Sequence, residues 1–263
     1  MTISRRTLPL FFAPLFLKGQ MTISQAEWSR FMDWYIHAAS GPERDDLRGI
    51  PRVLANYKNK LTSDGMQVSE AEALTGRLRP RLLSDPEFTR LNYNLIYSRT
   101  HQTQEPSAAL VEIVKSLRPG KALDIGMGEG RNAIFLAQKG WDVTGIDLSD
   151  VGVRIARERS KVLGVNIDAR VEDVNRFDLG DAHWDLVCMI YFGITNDTPN
   201  LHQRIARALR PGGLVLVEGV GLLPGHFDAV FQAWSKWEPT KLHLLRLEYR
   251  DTGLDYFLLQ KPA

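Results

Sequence analysis

The stretch that most constrains this chain is Ala122-Leu123-Asp124-Ile125-Gly126-Met127-Gly128-Glu129-Gly130-Arg131-Asn132. A short apolar run ends in an acid, a glycine-rich turn follows, and a helix-forming segment opens at Arg131. This succession offers bare backbone N–H groups and the positive end of a helix dipole to a ligand. It also commits the neighbouring chain to a strand–helix–strand unit, hence to a parallel sheet with crossover helices.

Strands are expected at 121–125, 141–146, 166–171, 184–190 and 214–217, by their short apolar runs between turn signals. Helices are expected at 131–139, 151–163 (capped by Ser149), 201–209 and 227–237. Segments 242–249 and 254–259, joined through Asp251-Thr252-Gly253, read as a terminal hairpin. The order is five β/α units closed by an antiparallel pair. A doubly wound sheet of the NAD-binding type would continue with a sixth parallel strand instead.

Upstream, from Gln25 to about His101, the apolar spacing is helical throughout. Ser24 caps the first helix, and Gly41-Pro42 ends it. One or two pieces follow over 43–60, then a short piece over 69–74. Pro80 and Pro86 mark turns, and Asp85 caps a piece over 87–97. A further helix is expected over 107–117. The aromatic residues Trp28, Trp34, Tyr35, Tyr93 and Tyr97 either form a lid over a site or pack on the sheet edge. The divisions are 1–20 as a signal-like or extension segment, 21–104 as a helical region, and 105–263 as the α/β domain.

The 263 residues carry a formal charge of only +2, so no general basic field points to nucleic acid. The single cysteine, Cys188, lies inside an apolar strand and reads as core filler. No two of the six histidines share metal-ligand spacing on one helix, so no metal site is expected. At the start, Arg5-Arg6 precedes an apolar run over 9–17. That pattern resembles an export signal, a twin-arginine one included. A docking extension fits it as well. So does a start at Met21, since Met21-Thr22-Ile23-Ser24 repeats Met1-Thr2-Ile3-Ser4. The run is far short of the roughly 20 residues of a membrane helix. The expected location is cytoplasmic, where the cofactor inferred below is made. Export or membrane contact through 1–20 is the alternative, and the oligomeric state is open.

The glycines are spaced Gly126-x-Gly128-x-Gly130, not the G-x-G-x-x-G of dinucleotide sites, because Arg stands at 131. Charge discriminates further. Asp124 and Glu129 would set two carboxylates against a pyrophosphate, whereas a cationic ligand would be welcome. S-adenosylmethionine carries an ammonium and a sulfonium. Asp147, ending the second strand, can accept both hydroxyls of a ribose. After the third strand, Glu172 or Asp173 can accept from an adenine amino group, with Val174 covering the ring; an acidic helix cap is the bland alternative. Tyr191, at the carboxyl end of the fourth strand, is a candidate catalytic residue that can wall an acceptor pocket, or it can simply pack its loop. His226 can act as a general base or be polar surface.

Three segments together resemble class I S-adenosylmethionine-dependent methyltransferases: Leu123 to Gly130, Gly145-Ile146-Asp147-Leu148-Ser149, and Leu209-Arg210-Pro211-Gly212-Gly213. The Gly128 to Asn132 run is similar to the small-molecule branch with the tellurite and thiopurine methyltransferases. The resemblance covers about 105–263. It implies a Rossmann-like seven-stranded sheet, mostly parallel with its last strand antiparallel, and S-adenosylmethionine as cofactor. It implies in-line methyl transfer to a small-molecule acceptor. By its motifs, Asp124 and the turn Gly126, Met127, Gly128, Gly130 hold the methionine part, Asp147 the ribose, and Leu148 packs on the adenine, with Asn132 also expected among the cofactor-binding residues. The resemblance gives the adenine amino group to Asp173, and Glu172, Val174 and Met189 complete the expected cofactor-binding set. Met127 departs from the Cys or Ala common in such turns. The Asn/Asp-Pro-Pro-Tyr signature of amino-group nucleic-acid methylases is absent after the fourth strand, so no nucleic-acid partner is expected. A cofactor-binding scaffold without turnover and a NAD-type oxidoreductase are the alternatives.

Overall fold

The computed structural model describes residues 22–47, 49–99, 105–192, 200–220, 242–249 and 254–263. The helical N-terminal part starts at α1 (Gln25–Ser40), where the Ser24 hydroxyl accepts from the Glu27 N–H and the Glu27 carboxylate accepts from the Ser24 N–H. That reciprocal capping box satisfies two donors left over at a helix start. A 3-10 turn (Pro42–Asp46) leads to α2 (Ile50–Ser63), which carries Pro51 in its first turn. Next come α3 (Val68–Ser84) and α4 (Pro86–Tyr97), the latter capped by Asp85 through the Phe88 N–H at 2.9 Å.

These four helices bury one aromatic core. Phe31 stacks on Trp28 and Tyr35 and meets the edge of Tyr57, while Phe88 packs on Tyr35. Trp28, Trp34 and Tyr35 therefore pack within the bundle. One expectation is corrected here. Pro80 does not mark a turn, and the piece expected over 69–74 is a 17-residue helix that runs through it. A proline removes the bond to the carbonyl four residues back, here that of Gly76. Gly76 and Pro80 both face solvent, so water can take that carbonyl, and buried Leu78 and Leu82 anchor the helix on its inner side.

After α5 (Ala108–Val114) the α/β part follows the expected alternation. Its elements are β1 (Lys121–Ile125), α6 (Arg131–Gln138), β2 (Asp142–Asp147), α7 (Asp150–Val162), β3 (Asp168–Val171), β4 (Trp184–Ile190), α8 (Leu201–Ala208), β5 (Leu209–Val220), β6 (His243–Tyr249) and β7 (Leu254–Gln260). The sheet order is β3-β2-β1-β4-β5-β7-β6. Strands β1 to β5 pair in parallel, and β7 inserts antiparallel between β5 and β6. The terminal hairpin thus forms, and its second strand, not its first, joins the parallel sheet.

β5 is longer than expected because Pro211-Gly212-Gly213 lies inside it. The register slips between Trp184 and Leu186, and Gly212 takes a left-handed φ of 78°. Such an irregularity accommodates proline and glycine without ending the strand. Helices α5, α6 and α7 cover one face, with Leu110, Ile113, Ala133, Ile134, Val153 and Ala156 against Ala122, Cys188 and Leu216. Leu201, Ile205 and Ala208 of α8 pack on the other face against Val187, Met189 and Val215. The helix expected over 227–237, the loop 193–199, and residues 1–21 lie outside the described residues. Among the described residues no helix is long and apolar enough to cross a membrane.

Candidate functional site

The strand order reverses between β1 and β4, and in open α/β sheets the ligand crevice opens at the carboxyl edge of that switch point. The glycine turn after β1 forms one side of the crevice. Gly126, Gly128 and Gly130 have φ of 71°, 54° and 78°, a region that disfavours side-chain-bearing residues. Their neighbours explain the glycines a second time. A Cβ on Gly126 would lie 2.6 Å from the Phe192 ring, one on Gly128 2.5 Å from the Tyr97 hydroxyl, and one on Gly130 2.8 Å from the Ala156 methyl.

Asp147 locks the turn to the next strand. Its two carboxylate oxygens accept from the N–H groups of Gly128 and Ser149, each at 2.8 Å. Burial pushes its carboxyl above the ordinary range, and those two N–H groups pull against that shift. Asp124 sits at the end of β1 with 1% of its surface exposed. Burial raises its carboxyl from 3.8 to about 7, while Arg131 and the Ala133 N–H oppose the rise. Among the described residues its Oδ2 has no hydrogen-bond partner. Such an atom is costly to leave so, and it marks a place where a donor belongs.

Other expected residues have structural occupations. Asn132 is buried and accepts from the Ser107 N–H at 2.9 Å, fixing the start of α5. Met189 is fully buried on the α8 face of the sheet, so its side chain belongs to the core. Val174 is buried in the same core, and its carbonyl accepts from Arg204 at 2.8 Å. Asp173 accepts from the Asn175 N–H at 2.9 Å, and the Glu172 N–H donates to the Asp147 carbonyl at 2.9 Å, which places both acids beside the end of β2. Leu148 is half-buried next to Asp147. Glu129 is buried, and its carbonyl accepts from Arg159 at 2.7 Å. Cys188 is fully buried, and burial drives its thiol well upward, in keeping with core filler.

Met127 fills the space over Gly145, where a Cβ would lie 2.2 Å from the Met127 sulfur. The unusual methionine in the turn is thus matched by a glycine in β2. Gly145→Ala is expected to destabilise the fold by about 1–3 kcal/mol through overpacking. Met127→Ala in the same chain should recover most of that loss in a thermal melt. Equal melts for Gly145→Ala and wild type would show that the contact is not tight.

Tyr191 has a φ of 57°, donates its N–H to the Glu218 carbonyl at 2.8 Å, and lies beneath the Arg131 guanidinium at 5.0 Å. His226 is outside the described residues, and among those no group of three or more potential ligands could hold a metal.

Two features escaped sequence reasoning. Glu218, in the C-terminal half of β5, is buried and accepts from the Ser107 hydroxyl, the same group that caps α5. The other is α4. Its Asn94 Oδ1 accepts from the Ser149 hydroxyl at 2.6 Å, its Nδ2 donates to Asp150 at 2.7 Å, and Arg90 pairs with Asp150 at 3.2 Å. This latch on the start of α7 brings Tyr97 over Gly128 and Gly152, with Tyr93 stacked on it at 5.8 Å. Burial, then the Asp147 carboxylate, raises both phenols. The i, i+4 spacing of Tyr93 and Tyr97 was the visible signal for a shared face.

The geometry fits an adenosyl cation better than a dinucleotide. The orphaned Asp124 oxygen calls for a donor, and the glycine cradle has no room for side chains. Known proteins agree. Residues 122–213 match the methyltransferase domain family. The chain is 25% identical over 123 residues to a probable S-adenosyl-L-methionine-dependent methyltransferase, TehB, of Haemophilus influenzae, covering 46% of this chain and 43% of that one. It is 32% identical over 118 residues to a ubiquinone biosynthesis O-methyltransferase of Bordetella avium, covering 44% and 49%. It thus spans about half the length of these curated relatives. The crystal structure of TehB from Haemophilus influenzae superposes with a TM-score of 0.50 at 18% identity, covering 64% and 67%, and so shares the fold. By turn, sheet order and sequence match, residues 122–213 are similar to the methyltransferase domain family, and the α/β part shares the fold of S-adenosyl-L-methionine-dependent methyltransferases.

Proposed function

We propose that this chain is a methyltransferase that moves a methyl group from S-adenosylmethionine to a small-molecule acceptor. The observation that carries it is the buried Asp124, whose Oδ2 has no hydrogen-bond partner among the described residues, next to a glycine turn joined to Asp147. When bound, the cofactor supplies a methyl carbon on a sulfonium, an intrinsically good leaving group. The chain contributes positioning and exclusion of water. Asp124 takes the ammonium, and the backbone of Gly126 to Gly130 lies against the methionine part. Asp147 accepts from the ribose hydroxyls. Leu148 and Val174 flank the adenine, with Glu172 or Asp173 on its amino group. Tyr97 and Phe192, which lean on Gly128 and Gly126, close the crevice against solvent. Tyr191 faces the acceptor side. Cytoplasmic action follows from where such a cofactor is made.

Asp124 gives this function a pH signature. Its carboxyl stands near 7 when folded against an ordinary 3.8, so the free fold favours the protonated form. Its contribution to stability is full below about 3.8 and is lost as pH rises through about 7. An ammonium ligand favours the ionised form. Affinity for S-adenosylhomocysteine is therefore expected to rise with pH between about 5 and 7, with proton release on binding. Asp124→Asn should bind weakly with a flat pH profile, yet melt above wild type at pH 8. Calorimetry in buffers of different ionisation heat checks this, and a flat wild-type profile would contradict the assigned role. Turnover itself is tested with methyl-labelled cofactor and a panel of thiol, amine, hydroxyl and carboxyl acceptors. Cofactor binding with no transfer to any of them would favour a scaffold.

A further inference from the structure

Glu218 stands third from the end of β5, in register with Ile190, the last residue of β4, and so at the carboxyl edge of the sheet. Only 3% of its surface is exposed. Its side chain lies on the face covered by α5, where the Ser107 hydroxyl donates to Oε2. The Ser107 oxygen accepts from the Leu110 N–H at 3.2 Å, so its one hydrogen is left for the carboxylate. Asn132 holds the Ser107 N–H at 2.9 Å and fixes that donor in place. Among the described residues no Lys, Arg or His nitrogen comes within 4.0 Å of the Glu218 carboxylate, and Ser107 is its one side-chain hydrogen-bond partner. Arg246, on β6, is matched with Glu112 and Glu248. A buried acid is ordinarily paired with a cation, because water no longer stabilises its charge. One hydroxyl does not supply that charge.

Position narrows the partner. Along the order β3-β2-β1-β4-β5, the function proposed above gives the adenine, ribose and ammonium of the cofactor to the ends of β3, β2 and β1. The ends of β4 and β5 remain for the acceptor. Tyr191 stands just past the first, with a left-handed φ of 57°, the kind of backbone strain that gathers at ligand sites. Glu218 stands at the second and accepts the Tyr191 N–H on its carbonyl at 2.8 Å. Asp124 and Glu218 flank Cys188 of β4, whose thiol is pushed upward by burial and then by both carboxylates. The two acids thus share one face of the sheet, one on the cofactor side and one on the acceptor side.

We propose that Glu218 binds the methyl acceptor and takes its proton, and that the acceptor is an amine; this rests on the methyltransferase function above. An alkylamine titrates at about 10, as a lysine does, and arrives as the cation that Glu218 lacks. The carboxylate accepts one N–H proton and becomes the acid. The nitrogen lone pair so released forms the N–C bond to the methyl group. The C–S bond breaks, and its electron pair stays on sulfur as a neutral thioether. The methylated nitrogen carries the positive charge that the sulfonium loses. A hydroxyl or thiol brings a proton but no charge, and so leaves the buried acid unpaired before reaction.

The test uses the full chain as wild type and Glu218→Gln, which keeps the size and an oxygen for the Ser107 hydroxyl. Calorimetry on the S-adenosylhomocysteine-saturated protein compares benzylamine with benzyl alcohol and butylamine with butanol. Wild type should prefer the amine of at least one pair by about tenfold or more, the scale of one charge-assisted hydrogen bond. Glu218→Gln should erase that preference while its melting temperature and its affinity for S-adenosylhomocysteine stay at wild-type values. With methyl-labelled cofactor, its transfer to amines should fall by about a hundredfold or more, the scale of a lost general base. A Glu218 that only fastens α5 would leave the preference and the transfer in place. Wild type that prefers neither amine overturns the proposal whether or not the variant folds. So does a preference that Glu218→Gln keeps, or transfer to hydroxyl or thiol acceptors in place of amines. Wild type that fails to bind S-adenosylhomocysteine overturns the methyltransferase function itself, and the amine site with it.

Discussion

Replacing Asp147 by alanine is expected to weaken S-adenosylhomocysteine binding by about a hundredfold or more. Two hydrogen bonds from ribose hydroxyls to one carboxylate are each of the charge-assisted class, about 1.5–3 kcal/mol. A second loss adds to the first. In the free protein the same oxygens hold the Gly128 and Ser149 N–H groups at 2.8 Å, so the variant also releases the glycine turn from β2. Asp147→Asn retains one acceptor oxygen and should lose less. Calorimetry reads both, with far-ultraviolet circular dichroism to show that the fold persists. An Asp147→Ala protein that binds like wild type would remove Asp147 from the site.

Gly128→Ala should be nearly as damaging, for reasons that can be separated. A left-handed φ, here 54°, costs an L-residue about 1–2 kcal/mol. The new methyl would also lie 2.5 Å from the Tyr97 hydroxyl and 3.0 Å from the carbon that bears it. Gly164 offers the control, since its φ is 68° and nothing lies within 4 Å of its would-be Cβ. Gly164→Ala should show the backbone cost alone, as a small drop in melting temperature with cofactor affinity unchanged. Gly128→Ala should show that cost and, in addition, a loss of S-adenosylhomocysteine affinity of about tenfold or more, because α4 is pushed off the turn. Tyr97→Leu in the same chain relieves the contact and should restore stability more than affinity, if Tyr97 itself closes the site. Equal effects of the two alanine substitutions would mean that Tyr97 does not press on the turn.

The α/β frame was legible because its signals are local. The apolar runs over 121–125 and 184–190 have no other use, and Ser24, Asp85 and Ser149 cap the helices they precede. The place of Asp147 was legible for the same reason: it ends a strand one βα unit past a glycine turn. What stayed hidden depends on contacts between distant segments. Pro80 reads as a break until Leu78 and Leu82 are seen anchoring the helix around it. No pattern in 243–260 says that β7 takes the inner place in the sheet. Tyr97 is 31 residues from Gly128 in sequence, and only the Asn94 latch on Ser149 brings them together. Asn132 and Met189 carry motif positions into roles in packing, because the motif fixes the backbone path and leaves side chains free to serve the core.

The central claim is that the crevice beside Asp124 takes an adenosyl ligand with a cationic amino-acid end. One pair of titrations tests it most directly: the purified chain against S-adenosylhomocysteine and against NADH, by calorimetry at pH 7.5. The expected result is saturable binding of S-adenosylhomocysteine at a single site, abolished by Asp147→Ala, with no heat from NADH. Binding of NADH with none of S-adenosylhomocysteine would contradict the account.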